Sequence, residues 1–113
     1  MQEKIKKISL NIHSTIFLSN KYKVYSVGNN KKGELGIGQY INLEECKNSN
    51  KIIEIVFFKN KKIINIFSGS FYSFAISKNN EIYGWGKHSM GMDGQLGSND
   101  YKKHYTPIKI FKF

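Results

Sequence analysis

The chain contains no arginine, so its strong positive charge comes from lysine alone. Its 18 basic residues stand against 8 acidic ones, which gives a formal net charge of +10 over 113 residues. Such a charge attracts polyanions, but without the forked guanidinium group there is no bidentate grip on guanine or phosphate. Lys, Ile and Asn make up 46 residues and Ala occurs once, a bias that is expected when A/T-rich codons are common. The lysine excess therefore leaves chromatin or another polyanion as one candidate partner without requiring it.

The chain also lacks the residue clusters that metal centres and catalytic sites need. Cys46 stands alone, so no disulfide can close within the chain, and a reducing intracellular compartment, nucleus or cytoplasm, is expected. The three histidines are scattered. Acidic residues occur singly or, at Glu44-Glu45, without signs of the enclosing pocket that would separate two carboxyl pKa values. We therefore expect no catalytic residue, no metal, no cofactor and no enzymatic activity.

No apolar run approaches the roughly 18 residues of a membrane span, and no stretch shows sustained helical spacing. The N-terminal stretch 1–20 has a basic start, but polar residues interrupt its apolar part, unlike the core of a signal peptide. Its apolar residues share one parity, which predicts a half-buried strand or a pair of short strands. These residues are Ile8, Leu10, Ile12, Ile16 and Leu18. No membrane association is expected.

Short runs with high β-propensity, separated by polar turns, fill much of the remaining sequence. Residues 52–58 are predicted as a strand because β-branched and aromatic residues dominate them, and residues 48–50 as a surface loop. Further strands are expected at 63–68, 71–77, 81–85 and 107–110. The chain is therefore predicted to be all-β.

A glycine-rich stretch occurs twice, at 23–38 and at 81–97. The tyrosine and the leucine of the first copy, Tyr25 and Leu35, align with Tyr83 and Leu96 of the second. Glycine suits sharp turns and positive φ, and the leucine between two glycines is the apolar plug of its loop. Such self-similarity is typical of repeat architectures. The predicted structural residues of the repeat motif are Tyr25, Gly28, Gly33, Leu35, Gly36, Gly38, Gly69, Tyr83, Trp85, Gly86, Gly94, Leu96 and Gly97. Trp85 is expected to pack between repeats rather than to bind a ligand.

These stretches resemble the repeat of the regulator-of-chromosome-condensation family, which reads roughly V-Y-x-W-G-x-N-x-x-G-Q-L-G-x-G. A preceding family segment, G-x-x-H-S-x-A-L, is matched by Gly69, Ser73, Ala75 and Ile76. The chain departs from the pattern where Val27 replaces the tryptophan, Tyr72 replaces the histidine and Leu10 stands at the first copy's counterpart of Gly69. The resemblance covers about 5–38 and 63–110. It implies a β-propeller, in which four-stranded antiparallel blades close into a ring.

The chain is too short for such a ring. A blade takes about 40–50 residues and a ring at least about four blades. We predict two propeller-type repeats: 1–62, partial at its start and carrying a long loop at 39–51, and 63–113, truncated at its end. Because repeats bury their apolar faces against neighbours, we expect about two blades of an incomplete ring. The chain would then be a piece of a larger propeller, or would need further repeats or self-association to be stable.

Three functions remain open from the sequence. The preferred one is a non-catalytic protein–protein interaction module acting through loops 29–32, 39–51 and 87–93, because loops on a rigid scaffold carry binding. The resemblance implies the second, guanine-nucleotide exchange on a small Ran-like GTPase at chromatin, although the family also includes ubiquitin-ligase, ciliary and light-receptor proteins. The third is binding of chromatin or another polyanion through the lysines.

Overall fold

Strands dominate the part of the chain that the structure describes. The structure is a computed structural model, and it describes residues 3–31, 33–38, 48–87 and 104–112. The strands are β1 (Ile5–Leu10), β2 (Ser14–Ser19), β3 (Val24–Asn29), β4 (Asn48–Glu54), β5 (Ile63–Ser68), β6 (Tyr72–Ser77), β7 (Glu81–Gly86) and β8 (His104–Lys112). One turn of 3₁₀ helix, Val56–Phe58, lies between β4 and β5. The predicted all-β class is confirmed.

The eight strands form two four-stranded antiparallel sheets, each a simple meander. The first sheet has the order β1-β2-β3-β4 and the second β5-β6-β7-β8. Their registers correspond: Phe17 pairs with Tyr25 in the first, and Ala75 pairs with Tyr83 in the second. Two such sheets are two blades of an incomplete propeller ring, as predicted. The repeat boundary between residues 62 and 63, and the partial first and truncated second repeat, remain predictions.

The hydrophobic core lies between the two sheets. Side chains from one face of the first sheet, one face of the second and the connection between them are buried together. They are Ile16, Leu18, Val24, Ile55, Phe58, Ile63, Ile66, Ala75, Tyr83 and Trp85. Full burial of one large apolar side chain stabilises a fold by about 1.5–3 kcal/mol. Neither sheet covers this face alone, so the packing of one sheet on the other stabilises both.

The predicted strand at 52–58 is wrong in its second half, and the predicted loop at 48–50 is wrong. Strand β4 already begins at Asn48 and ends at Glu54. The chain then leaves the sheet and turns through the 3₁₀ helix, which places Ile55 and Phe58 in the core and leaves Val56 70% exposed. A spacing of three residues between buried positions is that of a 3₁₀ helix, not of a strand.

The predicted half-buried parity at the N-terminus is also only partly correct. Ile16 and Leu18 are buried, but Ile8, Leu10 and Ile12 are 56%, 69% and 59% exposed. The pairing of β1 with β2 explains the difference, because Ser9 lies opposite Ile16. Lys7 and Ser9 of β1 therefore share the core-facing side of the sheet with Leu18 and Ile16 of β2.

The strand ends divide the molecule into two ends. We call the end that carries turns 11–13 and 69–71 and residues 30–38 the loop end. The other end carries turns 20–23 and 78–80 and the connection 55–62, and we call it the lysine end, since most of the described lysines outside the strands lie there. Among the described residues, no helix is long and apolar enough to cross a membrane.

Candidate interaction site at the loop end

Two glycines direct the chain from the third strand of each sheet into the loop end. Gly28 has φ +121° and Gly86 has φ +98°, values that strongly favour glycine. A Cβ atom would lie 2.6 Å from the His13 carbonyl oxygen at Gly28 and 2.3 Å from the Phe71 carbonyl oxygen at Gly86. The next residue donates its backbone N–H to that same carbonyl in each sheet, at 2.9 Å. In both repeats, the glycine near the end of the third strand is thus packed closely against the carbonyl group that precedes the second strand.

The loop that follows β3 is folded over Leu35, which is fully buried. The Asn30 side chain accepts a hydrogen bond from the Leu35 N–H at 3.1 Å and donates one to the Gly38 carbonyl at 3.2 Å. The Ser26 hydroxyl donates to the Leu35 carbonyl at 2.8 Å. Gly33, Gly36 and Gly38 have positive φ, and the backbone curls around Leu35. The N–H and carbonyl groups of Leu35 are hydrogen-bonded to side chains of the first sheet and its loop.

The second sheet holds this loop in place. Trp85, fully buried, donates its indole N–H to the Glu34 carbonyl at 3.0 Å. A Cβ atom at Gly36 would lie 2.9 Å from the Trp85 Nε1 atom, so glycine permits the close approach. Tyr105 adds two hydrogen bonds: its carbonyl accepts from the Gly38 N–H at 2.8 Å, and its hydroxyl donates to the Lys31 carbonyl at 2.9 Å. The loop of the first repeat is therefore held by hydrogen bonds from both blades.

The short turns of the two sheets are joined as well. The Ile12 N–H donates to the Ser70 carbonyl at 3.0 Å. Asn11 is buried between the sheets, and its amide is oriented to donate to the Gly69 and Tyr72 carbonyls, both at 2.9 Å. Its Oδ1 accepts from the Ser14 and Ser73 hydroxyls at 2.7 and 3.2 Å. This network makes the loop end one continuous surface rather than two independent tips.

The hydrogen bonds also correct one alignment from the sequence. The Asn11 N–H bonds the Ser14 carbonyl and the Gly69 N–H bonds the Tyr72 carbonyl, both at 2.9 Å. Asn11, not Leu10, is therefore the first copy's counterpart of Gly69. A Cβ atom at Gly69 would lie 2.1 Å from the Tyr72 ring, so a larger residue there would displace that side chain.

A cleft of about 300 Å³ opens on this surface, lined by His13, Asn29, Lys31 and Glu34. His13 lies beside the Phe71 ring, with 6.0 Å between ring centroids. Ile12, which precedes His13 in the chain, is 59% exposed. The imidazole, amide and ammonium groups of this cleft are suited to contact with a protein surface, whereas the Glu34 side chain is buried. Within the described residues, no group of three or more His, Cys, Asp or Glu side chains is placed to hold a metal ion.

The structure places some of the predicted motif residues and leaves others undescribed. Gly94, Leu96 and Gly97 lie outside the described residues, as do residue 32, residues 39–47 of the second predicted loop and residues 88–93 of the third. The structural role of the whole set stays a prediction. Asn11, Ser26 and Tyr105 were not among the predicted residues, and no local sequence signal marks them. Asn30 matches the asparagine of the family repeat.

At the lysine end, each motif tyrosine is bonded to a glutamate. The Tyr25 hydroxyl donates to the Glu3 carboxylate at 2.7 Å, and the Tyr83 hydroxyl to that of Glu81 at 3.0 Å. Burial first, and then the bond to Glu81, raise the pKa of Tyr83 to about 12. The same two causes raise the pKa of Tyr25 well above its usual range, and the Tyr25 and Ser19 hydrogen bonds lower the pKa of Glu3.

The raised pKa of Tyr83 predicts a loss of stability in alkali. The unfolded chain loses the phenolic proton near pH 10 and the folded chain near pH 12, so the folded state binds more protons in this interval. The free energy of unfolding should therefore fall as pH rises from about 10 to about 12. Urea unfolding across this interval tests the effect, and Tyr83→Phe should show a shallower fall than the native chain. Equal slopes would show that Tyr83 does not titrate as the structure requires.

Known proteins share the repeat and the arrangement of its strands. Residues 63–91 match the family model described as "Regulator of chromosome condensation (RCC1) repeat". An RCC1 repeat-containing protein of Dictyostelium discoideum is 37% identical over 105 residues, which is 93% of this chain and 21% of the relative. The regulator of chromosome condensation of Xenopus laevis is 30% identical over 98 residues, 87% of this chain and 21% of the relative. The chain thus spans about a fifth of the length of these relatives.

Solved structures agree on the fold. Prp20p from Saccharomyces cerevisiae, whose structure was described with its binding properties to Gsp1p and histones, superposes with a TM-score of 0.80 at 22% identity. Human WBSCR16 gives 0.77 at 16% identity. Each alignment covers 98% of this chain and 26% of the solved chain. The matching repeat model, the relatives and these two-sheet superpositions agree with the sequence motif. The chain carries repeats of the regulator-of-chromosome-condensation type.

Proposed function

We propose that this chain is a non-catalytic protein–protein interaction module that contributes two blades to a larger β-propeller and binds its partner at the loop end. The observation that carries the proposal is the clamping of the first repeat's loop by Trp85 and Tyr105 of the second sheet. A surface held rigid before binding loses less conformational entropy when a partner docks. The cleft at His13, Asn29, Lys31 and Glu34 lies on this surface.

The relatives support a protein partner. A bifunctional serine/threonine-protein kinase/NEDD4-like E3 ubiquitin-protein ligase of Dictyostelium discoideum and the ultraviolet-B receptor of Arabidopsis thaliana are 35% and 30% identical to the matched part of this chain. Their activities differ, so the shared repeats fit recognition better than chemistry. Prp20p was described with Gsp1p and histones, and the same yeast protein with Kap60 bound. A small GTPase and chromatin proteins are thus the first partners to test, inside the cell, in nucleus or cytoplasm.

A second candidate function uses the opposite end of the molecule. Lys61, Lys62 and Lys78 surround a cleft of about 390 Å³ together with Asn60 and Asn79. Seven described lysines lie at this end: Lys4, Lys21, Lys23, Lys59, Lys61, Lys62 and Lys78. The nearby Glu3 and Glu81 are already hydrogen-bonded to tyrosines. This end would attract DNA or another polyanion through charge alone, with an affinity that falls steeply as salt rises.

One matched pair of variants separates the two functions. Lys31→Glu reverses a charge at the loop-end cleft, and Lys78→Glu makes the same change at the lysine end. The immobilised chain is probed with a Ran-type GTPase, with core histones and with duplex DNA. We expect a protein to bind, Lys31→Glu to weaken it by about tenfold or more, and Lys78→Glu to leave it unchanged. Binding of DNA alone, abolished by Lys78→Glu and by salt, would contradict the proposal and support the polyanion function.

The same GTPase decides whether the chain acts as an exchange factor. It is loaded with a fluorescent guanine nucleotide, and release is followed with and without the chain. Binding without faster release supports a pure interaction module. Faster release that Lys31→Glu abolishes would replace that proposal with the exchange function.

A further inference from the structure

The two sheets pack on each other through one face of each. The outer faces of the two sheets carry counterparts of the residues in that interface. In the interface inside the molecule, the second sheet contributes one set of buried side chains and the first sheet another. The second sheet's set is Ile63, Ile66, Ala75, Tyr83 and Trp85, and the first sheet's set is Ile16, Leu18 and Val24. Because Tyr25 and Tyr83 occupy equivalent positions in the two sheets, the counterparts of each set can be found on the other sheet.

The first sheet's outer face holds the counterparts of the second sheet's set. They are Ile5, Ile8, Phe17, Tyr25 and Val27. Ile8 lies opposite Phe17, which lies opposite Tyr25, so they share one face. On this outer face Ile5 is 43% exposed and Ile8 is 56% exposed, whereas their counterparts Ile63 and Ile66 are fully buried. Tyr25 on this front face is already buried beside Glu3, but Ile5 and Ile8 stay exposed in the described part of the chain.

The second sheet's outer face holds the counterparts of the first sheet's set. They are Phe74, Ile76 and Ile82, all half-buried. Phe67 pairs with Phe74 on the same face and is 43% exposed. This rear face presents the same kind of surface that Ile63, Ile66 and Tyr83 meet inside the molecule. The chain therefore has a front face and a rear face that match each other in the way its two sheets already do.

We propose that the 113-residue chain associates head to tail, with the rear face of one copy packed on the front face of the next. The interface would repeat the packing between the two sheets of a single chain. Such a contact is heterologous, so each added copy leaves one front and one rear face for the next, until a ring closes. Rings of about four to eight blades are typical, so about two to four two-bladed copies would complete one. In a longer chain a neighbouring repeat would occupy the same position, and the partner proposed for the loop end is not needed for the contact.

Two variants, each blocking one face, test the direction of assembly. Ile8→Glu places a charge on the front face and Phe67→Glu on the rear face. Val56→Glu, at a 70% exposed position on the connection, is the matched control. Light scattering coupled to gel filtration measures the mass of each, and circular dichroism checks that each is folded. Leu10→Glu, also on the front face and 69% exposed, replaces Ile8→Glu if that variant does not fold.

The native chain and Val56→Glu are expected to elute well above 13.1 kDa, with a mass that rises with concentration. Each face variant alone should elute as a monomer of about 13.1 kDa. Mixing the two should restore a discrete dimer, because the rear face of Ile8→Glu can still dock on the front face of Phe67→Glu. A native chain that is monomeric at every concentration would overturn the proposal. So would a mixture that stays monomeric, or association that survives in either face variant alone.

Discussion

Replacing Trp85 with alanine is expected to lower the free energy of unfolding by about 3–5 kcal/mol. Trp85 is fully buried between the two sheets, and its ring lies 5.4 Å from the Phe58 ring. Its indole N–H also holds the first repeat's loop through the Glu34 carbonyl. The substitution therefore opens a cavity in the intersheet core and releases the loop at the same time.

The effect should be large against the total stability of the chain. Domains of this size have unfolding free energies of about 5–15 kcal/mol. We expect the melting temperature to fall by about 12 °C or more, since about 1 kcal/mol corresponds to roughly 4–8 °C for a domain near 100 residues. Scanning calorimetry or denaturant unfolding measures the change. Where the chain is self-associated, the comparison is made in the Ile8→Glu background at fixed concentration.

Two control substitutions separate packing from the hydrogen bond. Trp85→Phe keeps much of the apolar volume and loses the indole N–H, so its cost should lie clearly below that of Trp85→Ala. Val56→Ala, at a 70% exposed position, should change the free energy of unfolding by no more than about 0.5 kcal/mol. If Trp85→Ala cost as little as Val56→Ala, Trp85 would not be packed between two sheets.

Gly86→Ala is expected to cost about 2–5 kcal/mol, the second largest effect. Part of this cost is the positive φ of +98°, which an alanine side chain disfavours by about 1–2 kcal/mol. The rest comes from overlap, because the new Cβ atom would lie 2.3 Å from the Phe71 carbonyl oxygen and 2.8 Å from the Tyr72 Cα. The backbone must shift, and the hydrogen bond from the Lys87 N–H to the Phe71 carbonyl is strained with it.

A second glycine isolates the contribution of overlap. Gly38 has a similar φ of +87°, but a Cβ atom there would meet nothing nearer than the Thr106 hydroxyl at 3.9 Å. Gly38→Ala should therefore cost only the backbone term, about 1–2 kcal/mol. Urea unfolding of both variants should rank Gly86→Ala as the more destabilised. Equal costs would contradict the close contact of Gly86 with the backbone of Phe71 and Tyr72.

Much of the fold was predictable because its signals are local. Strands β5, β6 and β7 are short β-prone runs bounded by polar turns, and the predicted ranges match the structure closely. The twofold glycine pattern predicted a repeat before any contact was known. Glycine at positions such as 28 and 86 has a backbone cause that the sequence displays directly.

What the sequence did not predict depends on contacts between distant segments. Residue alternation in β1 indicates a strand but not which of its faces is covered. After the turn at 11–13, even-numbered residues face the core in β2, whereas Ser9 does so in β1. Phe58 is apolar in a β-prone run, yet it enters the core from a 3₁₀ turn because the chain must cross from one blade to the next. The Tyr105 hydroxyl donates a hydrogen bond to the Lys31 carbonyl, 74 residues away in the chain, and no local sequence pattern predicts such a bond.

The most direct test of the central claim uses the indole proton of Trp85, the chain's sole tryptophan. The claim is that the two sheets stack as adjacent blades and that the loop of the first is held by the second. In a nuclear Overhauser spectrum of the folded chain, this resolved proton should show cross-peaks to protons of Leu35 and Gly36, which belong to the loop of the first repeat. Cross-peaks confined to residues of the second sheet would show that the blades do not pack in this way and would contradict the account.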